Sequence, residues 1–246
     1  MISDKLIKKT LNYFDSYSRH DVVVKPSLPI LYFGSLESYK SSDLKIITVG
    51  KNPSDNEFRL KKGDPFSFVR FPDWDQKKGN LIESLNPYFE KYPLKWFSCF
   101  EPILNGFSAS YYQGHNSTAL HTDVCSPLAT NPTWSKLSKD TQSKFFNGGL
   151  DIWRDLVEEL QPDLMLASIP RTLFNYVFKS KGNELLIFNK KKDGTARKRP
   201  YIVELHEYRL KSGKKVKVIF GQAANTPFST ISNEQKLTIG KSPCLT

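Results

Sequence analysis

Leu44-Lys45-Ile46-Ile47-Thr48-Val49-Gly50-Lys51-Asn52-Pro53-Ser54 is the stretch that decides the fold. Its apolar, largely β-branched run is closed abruptly by glycine and proline, the pattern of a buried strand running into a turn. In open α/β sheets ligands bind beyond the carboxyl ends of such strands, so chemistry is expected at residues 50–54. An ordinary strand-to-turn exit accounts for the same residues without any chemistry.

Outward from that strand, Leu6, Ile7, Leu11 and Phe14 fall at helical spacing over 3–16, and 22–25 and 30–33 read as extended. Residues 56–74 mix Phe58, Phe66, Phe68, Phe71 and Trp74 with Arg59, Lys61, Lys62 and Arg70, which predicts a long ordered loop. Helices are expected over 81–92 and 93–104, and a second strand over 118–124 that stops at Cys125-Ser126-Pro127. Then come a helix at 149–160, a strand at 163–167 and a helix at 172–178. Strands follow at 185–188, 201–210 and 215–220, the last two joined by a hairpin turn at 211–214, and a final helix starts near Ser232. Strands separated by helical stretches imply a three-layer α/β/α fold with a central, mostly parallel sheet and a C-terminal hairpin. The tract 189–200, with Lys190, Lys191, Lys192, Arg197, Lys198 and Arg199, reads as a solvated loop, with a phosphate clamp or a nuclear-localisation signal as sharper alternatives.

The chain has 246 residues, 39% of them apolar, enough for one large domain, and no linker divides it. Thirty-six Lys and Arg against 25 Asp and Glu give a formal charge of +11, which suits a polyanion such as nucleic acid or else serves solubility alone. Cys99, Cys125 and Cys244 are odd in number and widely spaced, so neither a disulfide framework nor a zinc site is indicated. A charged N-terminus without an apolar core, and the absence of any segment long enough to cross a bilayer, lead to the expectation of a cytoplasmic protein with no membrane partner.

Four segments stand in one order: V-G-K-N-P-S at 49–54, H-T-D-V-C-S-P-L at 121–128, P-D-L-M-L-A-S at 162–168 and G-Q-A-A-N-T-P-F-S at 221–229. Together they resemble the uracil-DNA glycosylase superfamily, closest in motif style to its mismatch-specific and single-strand-selective branches. In that superfamily a G-x-[DN]-P motif closes the first core strand, an H-N-x-C-P-L type segment closes a middle one, and an H-P-S-P type loop follows the last. The resemblance covers about 44–230 and implies a monomeric, cofactor-free DNA glycosylase that flips its target base out of the stack.

Carried over residue by residue, Asn52 takes the position that orients the hydrolytic water. An amide can hold that water but cannot take its proton, which suffices where an oxocarbenium-like transition state makes stabilising the departing base the larger task. Gly50 and Pro53 would shape the turn so that backbone N–H groups face the pocket, and Lys51 between them is counted with the base-binding residues. Ser54 replaces the tyrosine that shuts the pocket of the strict uracil enzymes against substituents at carbon 5. Phe58 either stacks on the flipped base or packs in the core.

Asp123 is the informative departure. Where the family's asparagine reads uracil, a carboxylate can only accept hydrogen bonds unless protonated, and it suits the amino group of cytosine. Capping a local turn is the plain alternative for Asp123, and His121 reads equally as a packed strand-end residue. In the last motif Ala224 stands where the family has histidine, with Asn225 as a substitute donor. Thr226, Pro227, Phe228 and Ser229 follow, Pro227-Phe228 being expected as a wedge into the duplex. These readings make the chain a monofunctional glycosylase for a 5-modified cytosine of foreign, phage-type DNA. Uracil or mismatch repair, and a catalytically inactive nucleic-acid-binding protein, are the alternatives.

Overall fold

The computed structural model describes residues 2–75 and 80–242, so Cys244 lies outside the described residues. In chain order the elements are α1 (Asp4–Tyr17), α2 (Leu36–Lys40), β1 (Ile46–Gly50), α3 (Leu81–Leu85), α4 (Glu101–Gly106), β2 (Ala109–Ser110), β3 (Ser117–Thr118) and β4 (Leu120–Asp123). They continue with α5 (Lys139–Leu160), β5 (Leu164–Ala167), α6 (Arg171–Phe178), β6 (Asn183–Lys190), β7 (Ala196–Arg209), β8 (Lys215–Gly221) and α7 (Asn233–Gly240).

The fold is α/β, with helices flanking a mostly parallel central sheet of six strands in the order β4-β1-β5-β8-β7-β6. Ile46 pairs with Leu164 and Leu166 with Ile219 in parallel register, which is why β5 is an unbroken apolar run and β1 one interrupted only by buried Thr48 before its closing glycine, both buried throughout. Antiparallel β7 and β6 complete the sheet beyond β8. Among the described residues no helix is long and apolar enough to cross a membrane.

Three expectations about elements are corrected. Instead of two helices over 81–104, the chain forms the short α3 and α4 with 3₁₀ turns at Tyr88–Glu90 and Lys95–Cys99. Pro87 and Pro93 fall between these pieces and cannot donate the N–H that a continuous helix needs, whereas Pro102 stands in the first turn of α4, where no N–H is required. The helix expected at 149–160 begins at Lys139, where Thr141 N donates to Ser138 Oγ at 3.1 Å as an N-terminal cap. The tract 189–200 is a β-hairpin rather than a loop. β6 and β7 run into it and turn at Gly194, whose φ is +82°, while Asp193 Oδ1 accepts from Thr195 N and Oγ1.

Two compact units can be distinguished. The first comprises the chain up to Leu36 together with Gly50–Leu94 and His121–Leu160. In it α1 lies against α5 through Lys9 Nζ and Asp155 Oδ2 at 2.5 Å, and Tyr13 Oη donates to the Phe145 carbonyl at 2.6 Å. The second comprises Glu37–Val49, Lys95–Leu120 and the chain from Gln161 on. It holds the greater part of the sheet and the pair α4/α7, whose close approach is set by Gly106 and Gly240: a Cβ on Gly240 would lie 2.2 Å from the Ile103 carbonyl.

Candidate active site at the end of the first strand

In the first unit the turn after β1 is pinned to the segment after β4. Val124 N donates to the Gly50 carbonyl at 3.2 Å and Cys125 N to the Lys51 carbonyl at 2.8 Å. That segment is itself fixed from behind by α5: Trp153 Nε1 donates to Thr122 Oγ1 at 3.1 Å, and a Cβ on Gly149 would lie 2.2 Å from the Cys125 carbonyl. The turn therefore sits on a rigid base, as a positioned chemical group requires.

Gly50 is a second point of close approach. A Cβ there would lie 2.5 Å from Asp123 Oδ1 and 2.8 Å from His121 Nε2, so only glycine lets these two side chains lie over the strand end. Asp123 and His121 are 3.6 Å apart and almost wholly buried. Phe33 and His121 exchange backbone hydrogen bonds at 2.9 and 3.1 Å, which locks the histidine's main chain.

Asn52 is held by its amide nitrogen. Nδ2 donates to the carbonyls of Pro53 at 2.8 Å and Leu128 at 2.9 Å and to Thr130 Oγ1 at 3.3 Å. Two of these partners can only accept, which fixes which end of the amide is nitrogen. Oδ1 is buried and receives no hydrogen bond among the described residues. A buried acceptor left open in this way is unusual and costly unless a water or ligand group donates to it.

Pro53 is buried and Ser54 partly so. Ser54 Oγ accepts from Asn56 N at 3.3 Å, capping the 3₁₀ turn Asp55–Phe58. Lys51 is half-buried, its Nζ donating to Ser135 Oγ at 2.7 Å, and burial lowers its pKa while Cys125 and Asp123 pull it back up.

Phe58 is fully buried, its ring facing Phe71 at 5.5 Å and Phe68 at 6.1 Å. The ladder continues from Phe71 to Tyr88 at 5.6 Å, Tyr88 to Phe33 at 4.7 Å and Phe33 to His121 at 5.6 Å. Of the two roles open to Phe58 in the sequence, this is the geometry of core packing.

Sequence reasoning missed Glu57. It lies on the 3₁₀ turn directly after the Asn52 loop, is buried, and accepts from Tyr88 Oη at 2.5 Å. Burial pushes its pKa up to about 8, against the pull of the Tyr88 hydrogen bond and Arg70, with Asp123 and Asp55 adding to the rise. The neighbouring loop is ordered by charge: Arg59 pairs with Asp55, and buried Arg70 donates to the carbonyls of Asn56 and Arg59, each at 3.3 Å. The sequence does not set Glu57 apart, because Asp55, Asp64 and Asp73 are scattered through the same aromatic and basic stretch.

The other expected residues belong to the second unit. Asn225 is exposed, and its carbonyl accepts from Trp96 Nε1 at 3.4 Å; Thr226 is partly buried and Ser229 exposed. Pro227 and Phe228 are buried, which corrects their assignment as a wedge. Phe228 N donates to Ser168 Oγ at 3.1 Å, Ser168 Oγ donates to the Gly221 carbonyl at 2.8 Å, and the Phe228 ring meets Phe100 at 6.1 Å. An aromatic ring that closes its own core cannot also be presented to a duplex.

Lys190, Lys191, Lys192 and Lys198 are exposed on the hairpin, as a phosphate-binding surface requires. Arg197 is instead turned back on its own unit, donating to the carbonyls of Lys190 and Thr230 and lying 5.6 Å over the Tyr201 ring. Among the described residues no group of three or more His, Cys, Asp and Glu is placed to hold a metal ion. Comparison with protein-family models and with curated proteins yields no match for the chain.

Proposed function

We propose that the chain is a DNA glycosylase of the uracil-DNA glycosylase type, with that superfamily's fold. It hydrolyses the N-glycosidic bond of a flipped-out pyrimidine, a cytosine enlarged at carbon 5, and leaves an abasic site. Bases of this kind occur in foreign, phage-type DNA, so defence against such DNA is the setting that fits. The observation that carries the reading is Asn52, whose amide nitrogen is tied to three protein acceptors and whose Oδ1 is left to accept from a water. A water held there is positioned rather than deprotonated, which matches a reaction where the base departs ahead of strong nucleophilic attack.

Asp123 supports the choice of base. Packed over Gly50, its carboxylate offers acceptors to a cytosine amino group, whereas the O4 carbonyl of uracil would meet it acceptor to acceptor. A discrimination of this type is worth about 1–3 kcal/mol. Ser54 is small and engaged in capping, so on this reading it would admit a carbon-5 substituent that a bulkier residue would bar. The exposed lysines of the hairpin supply attraction to phosphates.

Oligonucleotides carrying uracil, cytosine and 5-substituted cytosines, incubated with the purified chain and assayed for free base, test the proposal. Release of a 5-substituted cytosine is expected. Release of uracil alone would overturn the choice of base, and release of nothing, with salt-sensitive binding retained, would make the chain a binding protein, the reading favoured by Ala224.

A further inference from the structure

We infer that Lys51 is an amine nucleophile that captures the ring-opened aldehyde of an abasic deoxyribose. The inference rests on the glycosylase reading for the choice of aldehyde, since that reaction leaves such a sugar beside Asn52. Hydrolysis by an oriented water does not require an amine at position 51, yet the structure builds one in. The main chain of Lys51 is fixed by Cys125 N at 2.8 Å, and its Nζ is steered by Ser135 Oγ at 2.7 Å instead of waving in solvent. The residue is half-buried, flanked in sequence by Gly50 and Asn52, and within electrostatic reach of the Asp123 carboxylate. Partial desolvation enlarges the neutral amine fraction that attacks carbonyls, and lysine tolerates that shift where arginine does not.

The steps balance without any oxidant or reductant. The Nζ lone pair adds to C1′ of the aldehyde, and the carbinolamine loses its oxygen as water, leaving a C1′=Nζ imine. A carboxylate, for which Asp123 is in reach, then removes a C2′ proton. That electron pair forms the C2′–C3′ double bond and the C3′–O bond breaks, the 3′ phosphate leaving with its electrons. Water hydrolyses the unsaturated imine and restores Lys51. The chain would thus cut the strand that it has stripped of a base, going beyond the monofunctional expectation.

The full-length chain is mixed with an oligonucleotide carrying a preformed abasic site, in the presence of borohydride, which reduces an imine to a stable secondary amine. The expected result is a covalent protein–DNA adduct that peptide mapping places on Lys51. The adduct should be lost in Lys51→Gln and kept in Lys136→Gln, an exposed lysine next to Ser135. An adduct on another lysine, or none, overturns the inference, and mapping on the unaltered chain decides it even where Lys51→Gln does not fold. Base release measured in parallel separates the two proposals: release without an adduct leaves the glycosylase reading and removes this one, while an adduct on Lys51 without release does the reverse.

Discussion

The loops that follow β1 and β8 both leave the carboxyl end of a parallel strand, and they are built in opposite ways. After β1 the apolar residue Pro53 serves the turn, while the polar groups of Lys51 and Asn52 are fixed and partly desolvated. After β8 it is the apolar pair Pro227 and Phe228 that is buried, the backbone is tied down by Ser168, and Asn225 is left exposed. One loop places chemical groups and the other anchors itself. The difference teaches that a strand end in such a sheet offers a location only; what fills it depends on which side chains the local packing turns inward.

The sharpest way to break this contrast is at its two centres. Asn52→Ala should lower base release by about 10²–10³-fold, since it removes the group proposed to hold the water. Asn225→Ala should change release far less, and equal losses would erase the distinction between the loops. Phe228→Ala, read by chemical denaturation, should cost about 3–5 kcal/mol as a core truncation, with Asn225→Ala staying within about 0.5 kcal/mol. Asp123→Asn should move selection towards uracil-type bases by about 1–3 kcal/mol, measured as the ratio of kcat/KM for the two bases, and an unchanged ratio would reduce Asp123 to packing.

Glu57 gives a smaller, pH-dependent effect. Its folded pKa lies above the ordinary carboxylate value, so the native state binds its proton more tightly than the unfolded chain does. The associated stability is fully present below about pH 4.5 and is lost as pH rises towards about 8. Glu57→Gln should remove that part of the decline when unfolding free energies of the two proteins are compared across this window. Last in size, replacing Lys190, Lys191 and Lys192 by Gln should make the salt dependence of DNA binding shallower, by about 1 in log–log slope for each phosphate that is no longer neutralised.

The frame of this molecule was readable because the β-branched run 46–49 is closed by glycine and proline and the stripe of Ile152, Trp153, Leu156, Val157 and Leu160 has helical spacing. Prolines were the weak point: 81–104 has helical composition, and Pro87 and Pro93 divide it. At the candidate site, the glycine at 50 and the amide at 52 could be singled out from their place after a strand. Glu57 could not, because its burial follows from Tyr88 and Arg70, residues whose proximity no local pattern encodes. Phe228 shows the converse error, since an aromatic residue in a loop motif looks the same in sequence whether it faces outward or closes a core.

The grip on Asn52 carries a historical consequence. A carboxylate at that position would turn an oxygen towards the Pro53 and Leu128 carbonyls, where the amide now donates, and acceptor would confront acceptor. Asparagine and aspartate differ by little in shape, yet if Asn52 orients a water as proposed, that exchange alone could not turn orientation into proton abstraction. The 128–130 backbone would first have to be rerouted, so the choice of amide is locked in by main-chain atoms that no codon specifies.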